Sequence, residues 1–412
     1  MLTGIDAGTT ALTIMAAPAK TLADRSTFTV EKIHDALRFA QLKQEWSDLL
    51  ESSNASCLFL TWEWLHTWWK HLAADRQLSI LAVRCGSELA ALAPLAVRPP
   101  GLSRGRLFPV QEFLGSGNAG SDYLDFIVRR GCEPYAREAF ASYLAGERLM
   151  LDWTQLRRGG CGATGVASIL DENGWKVSEA RTNTCPFILL AGKSWESYLG
   201  TLGAEHRYNF NRKWKRLNRE YAVQFEQVRT EHQCRESINL VIALHNLRWR
   251  GRGGSDAFHT PGLVGFHQEL SQIALERGWL RLYVLRLNGK PAAGLYGFLY
   301  RRTFYFYQSG FDPAFDKYSV GLVIMGLAIK RSIEEGAEEF DLLHGAEAYK
   351  SHWSSGNREL GRLELYPPGI FGWLCRSSIE VERASRRIAR RVLPRSMFDG
   401  IRTRLNARPE GL

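Results

Sequence analysis

YQSGFDPAFDKYSVGL occupies residues 307–322, where an aromatic strand gives way to a loop and then to a helix. The loop ends at Ser319-Val320-Gly321, before an apolar-periodic segment that predicts a helix to about Glu335. A helix N-terminus presents free amides and a partial positive charge, which favour a pyrophosphate, and a glycine lets a phosphate approach the backbone closely. The segment therefore predicts an anion site, with a plain Ser N-cap on a core helix as the alternative.

A polar block follows the next predicted strand, EEFDLL at residues 338–343. Its functional side chains are Asp341, His344, Glu347, Tyr349, Lys350, His352 and Trp353. Catalytic and binding residues collect in loops at strand ends. The block is therefore predicted to carry chemistry, and the alternative is an ordinary polar loop around a buried Trp.

A three-stranded antiparallel meander is predicted before this block. LRLYVLRL and PAAGLYGFLY flank Asn288-Gly289, the strongest short hairpin signal, and TFYFYQS adds the third strand. Thr260-Pro261 predicts the start of the helix that precedes the meander.

The first half of the chain predicts the same plan. The sequence favours helices at Phe39–Leu50, after Thr61 and around Pro134–Leu144, and strands at Leu107–Leu114, Tyr123–Val128 and Leu149–Leu156. LSILAVRCGSELAALAPL aligns without a gap with LRLYVLRLNGKPAAGLYG at an offset of 202 residues. Two copies of one helix–meander–helix–strand unit are therefore predicted, and chance similarity between strand-rich segments is the alternative.

Composition and charge restrict the class of protein. The chain has 412 residues, 45% of them hydrophobic, which excludes a largely disordered chain. The net charge is +10, but ten Arg and four acidic residues in 376–412 supply +6 of it, which argues against a dedicated nucleic-acid binder. Seven Cys without a C-x-x-C pair fit a reducing compartment. No apolar run is long enough to span a membrane, residues 1–26 read as a loose leader, and a cytoplasmic location is expected.

Several familiar motifs are excluded by their context. Residues 115–120 spell G-x-G-x-x-G but run into a predicted strand, whereas a dinucleotide site needs a helix there. Gly192-Lys193-Ser194 lacks the first glycine of a phosphate loop, and no G-x-S-x-G is present. The ten His residues are dispersed, so no metal site is predicted.

RYNFNRKWKRLNR at residues 207–219 is both basic and aromatic. Phe210, Trp214 and Leu217 fall on one helical face, and the cations fall on the others. The segment predicts a cationic helix face that binds phosphates or an anionic substrate. The alternative is a solvated helix whose long side chains cover the core.

With these motifs in place, the chain resembles the BioF2-like or CelD-like branch of the GNAT acyltransferase superfamily, and it is similar to tandem FemAB-type transferases. The shared pattern runs from about Phe39 to Tyr366 and includes FLTWEWLHTWW, DYLDFIV, LHNLRW and the two blocks at 307–322 and 340–353. The resemblance implies an α/β (α+β) fold of tandem GNAT-like domains, each a mixed, mostly antiparallel sheet flanked by helices. The implied bounds are 27–185 for a non-catalytic first domain, 186–370 for the transferase domain and 371–412 for an Arg-rich helical tail.

The resemblance also implies an activity, the transfer of an acyl group from acyl-CoA to an amine, amino-sugar or hydroxyl acceptor. Relatives are loosely linked to envelope or exopolysaccharide production. The usual pyrophosphate loop, Q/R-x-x-G-x-G/A, survives here only in Gly321. An aminoacyl-tRNA donor, as in FemAB-type enzymes, and a non-catalytic binding scaffold therefore stay open.

Site residues follow from local pattern and resemblance together. The donor pyrophosphate is placed at Ser319, Val320, Gly321 and Leu322, with Lys317 adding charge. Glu347 is the first candidate for the general base, followed by Asp341 and His344, and Tyr349 or Lys350 donates a proton or holds the substrate. The acceptor is placed beside Asp122, Tyr123, Arg248, Trp249 and Trp353.

The tail predicts one further partner. Val381, Ala384, Ile388 and Val392 follow one helical face among arginines, which is typical of a helix that touches an anionic membrane. The alternative is a helix packed on the body or a solvated tail.

Overall fold

The computed structural model describes residues 28–55, 57–101, 107–159, 162–250, 255, 257–345 and 347–392. Twelve α-helices lie in these segments: α1 Ala36–Gln41, α2 Lys43–Glu51, α3 Trp62–Leu72, α4 Glu133–Glu147, α5 Gly162–Glu172, α6 Trp195–Thr201, α7 Ala204–Glu220, α8 Glu231–Trp249, α9 Pro261–Glu276, α10 Val320–Glu334, α11 Ala348–Ser351 and α12 Ile370–Val392. The strands are β1 Phe28–Ile33, β2 Gln77–Leu78, β3 Ile80–Cys85, β4 Glu88–Ala93, β5 Leu95–Arg98, β6 Val110–Phe113, β7 Ile127–Val128, β8 Met150–Arg157, β9 Lys176–Leu189, β10 Val223–Gln227, β11 Leu280–Leu287, β12 Lys290–Tyr300, β13 Thr303–Phe311, β14 Glu339–Asp341 and β15 Gly356–Tyr366.

The strands form two sheets of mostly antiparallel pairs. One has the order β1-β3-β4-β7, and the other runs through both halves of the chain as β10-β11-β12-β13-β14-β9-β15-β8-β6-β5-β2. Among the described strands, only β6 with β8 and β13 with β14 pair in parallel. Each parallel pair is connected through a long helix, α4 in the first half and α10 in the second. The predicted fold class is confirmed, and the same unit occurs twice.

In the first half of the chain the strands of the repeated unit are split between the two sheets, whereas in the second half they form one continuous meander. Pro94 interrupts the second strand of the hairpin, because it offers no backbone N–H to a sheet ladder. β4 therefore stays with β3 in the small sheet, whereas β5 pairs with β6 in the large one. In the second half β11, β12 and β13 remain one meander around Asn288-Gly289, whose φ values of 50° and 78° suit a tight hairpin turn.

Two strands join the halves. β9 pairs with β14 through its last residues, Phe187–Leu189, and with β15 along most of its length. β15, in turn, pairs with β8 of the first half. The predicted domain boundary at 185/186 thus falls inside the continuous strand β9.

One predicted strand is much shorter than expected. The segment Tyr123–Val128 contributes only Ile127–Val128 to a strand. Tyr123 has φ 58°, which is incompatible with a strand, and Asp125 caps α5 by accepting bonds from the amides of Gly162 and Ala163, both 2.8 Å. The predicted leader, residues 1–26, and the end of the tail beyond Val392 lie outside the described residues. Within the part that the structure describes, no helix is both long and apolar enough to cross a membrane.

Candidate active site

An opening in the large sheet lies where β13 and β14 separate. The two parallel strands pair only from Thr303–Glu339 to Tyr305–Asp341, and β13 then continues to Phe311 paired with β12 but not with β14. A bulge at Tyr307 interrupts its pairing with β12 at the same level, since Tyr296 pairs with Gln308 and Gly297 with Phe306. Backbone groups of β13 beyond Tyr305 are therefore released from pairing with β14.

A cavity of about 320 Å³ occupies this opening. One wall is β13 from Phe306 to Ser309, and the facing wall is formed by Leu342–His344 together with Glu347, Tyr349 and Lys350. The glycine-rich loop of the first half, Gly117–Gly120, closes one side. Tyr307 holds this loop in place by donating its hydroxyl to the carbonyl of Ala119 at 2.5 Å. The G-x-G-x-x-G pattern thus forms a cavity wall, and α8 supplies the remaining side with Arg248 and Trp249.

His344 lines the cavity and is held by Asp122 of the first half. The Nδ1 atom of His344 lies 2.7 Å from Oδ1 of Asp122, and the backbone N–H of His344 donates to Oδ2 at 2.9 Å. Burial opposes a charged ring, but the hydrogen bond and the charge of Asp122 outweigh it and raise the pKa of His344. Because Nδ1 is engaged with Asp122, Nε2 is the nitrogen left to face a substrate.

Asp122 is completely buried and is itself fixed by two further residues. Gln155 of β8 donates its amide to Oδ1 at 2.9 Å, and the thiol of Cys185 in β9 lies 3.6 Å from Oδ2. Gln155 has φ 60°, a strained backbone that turns its side chain out of the strand pattern. The His344–Asp122 pair and its two supporting residues thus come from four segments that are far apart in sequence.

The loop after β14 is held by Lys350, which is buried. Its ammonium donates to the carbonyls of His344 at 2.9 Å and Leu343 at 3.4 Å, and it lies 3.1 Å from the Glu347 carboxylate. Gly345 has φ +147°, and a Cβ there would overlap the Glu347 carboxylate and the Lys350 ammonium. Glu347 and Tyr349 line the cavity, and burial raises the pKa of Tyr349, so that its hydroxyl stays protonated.

Asp341 points away from this cavity. Its Oδ2 accepts the Tyr123 hydroxyl at 2.7 Å and lies 3.3 Å from Arg358, and all three residues line a second cavity of about 270 Å³. Burial raises the pKa of Asp341 to about 7, although the Tyr123 bond and Arg358 work against the rise. Asp341 and Tyr123 therefore form a partition between the two cavities.

The end of α8 is fixed against β13. His245 places Nδ1 3.0 Å from the carbonyl of Ser309, and Arg248 donates to the Ser309 hydroxyl at 3.4 Å. The Arg248 guanidinium also covers the ring of Phe311, 5.1 Å from its centroid. Phe311 in turn packs against Gly321, where a Cβ would lie 3.3 Å from its ring. The cavity and the start of α10 are thus linked by Arg248 and Phe311.

The start of α10 is an unusual helix terminus. Ser319 has φ 55°, and its side chain makes no capping hydrogen bond, so the alternative of a plain Ser N-cap is wrong. The basic helix α7 lies beside it: Lys213 donates to the carbonyl of Lys317 at 2.7 Å, and Arg216 covers the ring of Tyr318 at 4.8 Å. Two half-exposed cations of α7 therefore lie beside the helix terminus that the sequence marks as an anion site.

Most of the predicted site residues meet around this opening. His344, Glu347, Tyr349, Lys350, Arg248 and Trp249 line the first cavity, Asp122 lies behind His344, and Tyr123 and Asp341 line the second cavity. Trp353 lines neither cavity: it is 1% exposed and packs against His206 and Phe210.

Sequence reasoning missed the residues that support the site. Gln155 and Cys185 lie in strands outside the quoted motifs, and His245 and Ser309 lie inside quoted motifs but were not singled out as site residues. Among the described residues, no group of three or more His, Cys, Asp and Glu side chains is arranged to hold a metal ion.

Comparisons with known proteins agree with this fold. Residues 204–351 match the family model described as an acetyltransferase (GNAT) domain. No curated protein matches the sequence. Among solved structures, FemX is similar with a TM-score of 0.58 and 13% identity, over 81% of this chain and 96% of that chain.

Two further structures share the fold. A conserved protein of unknown function from Bacteroides thetaiotaomicron VPI-5482 has a TM-score of 0.51 and 15% identity, over 82% of this chain and 100% of that chain. A C-terminal domain from Agrobacterium fabrum, assigned to a lysylphosphatidylglycerol synthetase, has a TM-score of 0.50 and 12% identity, over 83% of this chain and 96% of that chain. The match over residues 204–351 and the likeness in fold together show that this chain has the fold of GNAT acetyltransferase domains.

Proposed function

We propose that this protein is a GNAT-type acyltransferase that moves an acyl group from acyl-CoA to an amine or hydroxyl acceptor. The observation that carries the proposal is the cavity at the point where β13 and β14 separate, with His344 and Asp122 on one side and the start of α10 nearby. A parallel strand pair that separates at its end provides unpaired backbone amides, which suit the oxyanion of an acyl-transfer intermediate.

The transfer itself needs a base and an acid. The acceptor nitrogen or oxygen attacks the thioester carbonyl, and Nε2 of His344 takes the proton that the acceptor loses. Asp122 holds the ring by Nδ1 and stabilises the positive charge that forms. The carbon–sulfur bond then breaks, and the protonated Tyr349 hydroxyl is placed in the same cavity to return a proton to the thiolate.

His344 is a better candidate for the base than Glu347 on geometric grounds. His344 is supported by a buried carboxylate at 2.7 Å, whereas Glu347 is half exposed and paired with Lys350. Asp341 is directed towards the second cavity and hydrogen-bonded to Tyr123. We assign Glu347 and Lys350 to holding the loop and the substrate, and Asp341 to the partition.

Acyl-CoA as the donor is supported by the charge around α10. The helix terminus at Val320–Leu322 offers amides for a pyrophosphate, and Lys213 and Lys317 lie beside it. A second donor class, aminoacyl-tRNA, is favoured by the length of the cationic helix α7 and by the retention of only Gly321 from the usual loop. The likeness to FemX and to a domain assigned to a lysylphosphatidylglycerol synthetase fits this alternative but rests on fold alone.

The acceptor is expected to be polar. The functional side chains that line the cavity are mostly polar, which suits an amine, an amino sugar or a hydroxyl compound. The resemblance to BioF2-like and CelD-like proteins supports a role in envelope or exopolysaccharide synthesis on the cytoplasmic side.

The donor is tested by direct binding and transfer. We expect acetyl-CoA to raise the melting temperature of the full-length protein, since a ligand that binds only the folded state stabilises it, and mass spectrometry to detect acyl transfer to amino sugars. Gly321→Ala, which adds one methyl group against Phe311, is the matched control for Gly321→Asp, which adds a carboxylate. Stabilisation and transfer only with aminoacyl-tRNA would establish the second donor, and binding without transfer to any acceptor would indicate a scaffold.

A further inference from the structure

The last described helix, α12, packs on the body through one face only. Phe371 meets Phe108 edge to face with centroids 5.3 Å apart, and Cys375 is completely buried against the end of the large sheet. Ile379 packs on the same small cluster, and Arg383 pairs with Glu364 of β15. The first half of α12 is therefore anchored to the body.

The opposite face of α12 is apolar and uncovered. Among the described residues, ten large apolar side chains are exposed, and five of them lie on this one helix. They are Ile370, Trp373, Leu374, Val381 and Ile388, with exposed fractions from 42% to 78%. At about 100° per residue they fall within an arc of roughly 100°, and the anchoring residues lie well outside this arc. We call these five residues the outer stripe.

The charge of α12 identifies what covers the outer stripe. Residues 370–392 contain six Arg and two Glu, a net charge of +4. Arg376, which pairs with Glu380 at 2.9 Å, and Arg387 are exposed on one flank of the stripe. A second copy of the chain would bring two helices of charge +4 together, which like-charge repulsion opposes. An anionic lipid surface satisfies both features, because it attracts the arginines and accepts the apolar side chains at its boundary.

We propose that α12 lies in the interface of an anionic membrane and holds the protein there as a peripheral protein. Trp373 sits at the level typical of interfacial tryptophans, and Val381 and Ile388 enter the acyl boundary. Arg376 and Arg387 extend their charged ends to the lipid phosphates, as long cationic side chains do. The stripe is wider than the sequence indicated, because the helix begins at Ile370 and includes Trp373. The proposal is independent of the acyltransferase activity.

The experiment is co-sedimentation of the full-length protein with vesicles of pure phosphatidylcholine and of phosphatidylcholine mixed with phosphatidylglycerol. We expect binding to the mixed vesicles only, and weaker binding as salt is raised. Arg376→Gln and Arg387→Gln should each weaken binding about fivefold, the effect of one cation near an anionic surface. Val381→Ser combined with Ile388→Ser should abolish it.

Matched controls distinguish the role of the outer stripe from the effect of removing any exposed apolar or cationic side chain. Leu37→Ser removes an equally exposed leucine from α1, and Arg235→Gln removes an exposed arginine from α8; neither should change binding. Thermal melting confirms that each variant is folded. The proposal is overturned if the wild type ignores phosphatidylglycerol, or if the stripe variants bind as the wild type does. It is equally overturned if light scattering shows a lipid-free dimer that the Val381→Ser and Ile388→Ser change dissolves, since self-association would then account for the stripe.

Discussion

Replacing Asp122 by Asn removes one charge from the interior while keeping the shape of the side chain. In the wild type, Oδ1 faces Nδ1 of His344 at 2.7 Å and the Gln155 amide at 2.9 Å, and Oδ2 faces the His344 backbone N–H at 2.9 Å. The new NH₂ group must take one of these two positions.

The two orientations have different costs. An NH₂ group at the Oδ2 position would meet the buried backbone N–H of His344, a donor facing a donor, which costs about 1–3 kcal/mol. An NH₂ group at the Oδ1 position is cheaper, because Gln155 can rotate its amide and Nδ1 of His344 can accept. In that orientation the proton of the ring moves to Nε2, and the ring is held as the wrong tautomer for a base.

The expected result follows from this tautomer. Asp122→Asn should lower turnover by about 10²–10⁴-fold at every pH, the usual contribution of a general base. It should also lower the pKa of His344, which Asp122 raises in the wild type. Because that raised pKa stabilises the fold at low pH and the contribution is lost as pH rises through the pKa of His344, the variant should show a flatter dependence of stability on pH.

Two comparisons make the test specific. Asp125→Asn is the matched control, since Asp125 lies three residues away and caps α5 without touching His344. It should cost stability but spare turnover. A double variant with His344→Gln should be no slower than His344→Gln alone, because the two residues act as one unit. Turnover within threefold of the wild type in Asp122→Asn, or fully additive losses in the double variant, would refute the reasoning.

Three other outcomes are expected from the same geometry. Glu347→Gln should lower turnover less than about tenfold if His344 is the base, whereas a loss of about 10²–10⁴-fold in steady-state kinetics would make Glu347 the base. Gly321→Asp should abolish acyl-CoA binding in a thermal-shift titration while Gly321→Ala retains it, because only the carboxylate repels the pyrophosphate; equal binding by both would place the donor elsewhere. As pH rises from about 4 to about 7, the wild type should lose stability in chemical denaturation, because the folded state raises the pKa of Asp341 to about 7 and so favours its protonated form. Asp341→Asn should remove this loss.

Local chemistry in the sequence was enough to predict the second half of the chain. The Asn288-Gly289 turn, the apolar periodicity after Ser319 and the strand before Asp341 each depend on neighbouring residues, and the structure has the corresponding elements within a few residues. The same reasoning was wrong for the segment Tyr123–Val128, whose alternating pattern suggests a strand. Its conformation is decided by distant partners, because Asp125 caps α5 and Tyr123 bonds to Asp341.

The candidate site, too, could be predicted from the sequence only in part. The polar residues after β14 mark a functional loop in the sequence. Their roles depend on where each side chain points in the fold, which the spacing of residues in the sequence does not give. Trp353 and Tyr349 are four residues apart, yet one is in the core and the other lines the cavity. Gln155 and Cys185 reach Asp122 from β8 and β9, which are separated by β15 in a sheet whose order is not evident from the sequence.

The arrangement explains why a first half without a recognisable donor loop belongs to the active unit. It supplies the glycine-rich wall of the cavity, the buried carboxylate that orients His344 and the amide that orients the carboxylate. Strand β9 crosses from one half to the other, and β15 returns to pair with β8, so the sheet fixes the distance between Asp122 and His344. A His–Asp pair needs its two members held within a few tenths of an ångström. Sharing strands between the halves provides that rigidity, which two domains joined only by a flexible linker would not.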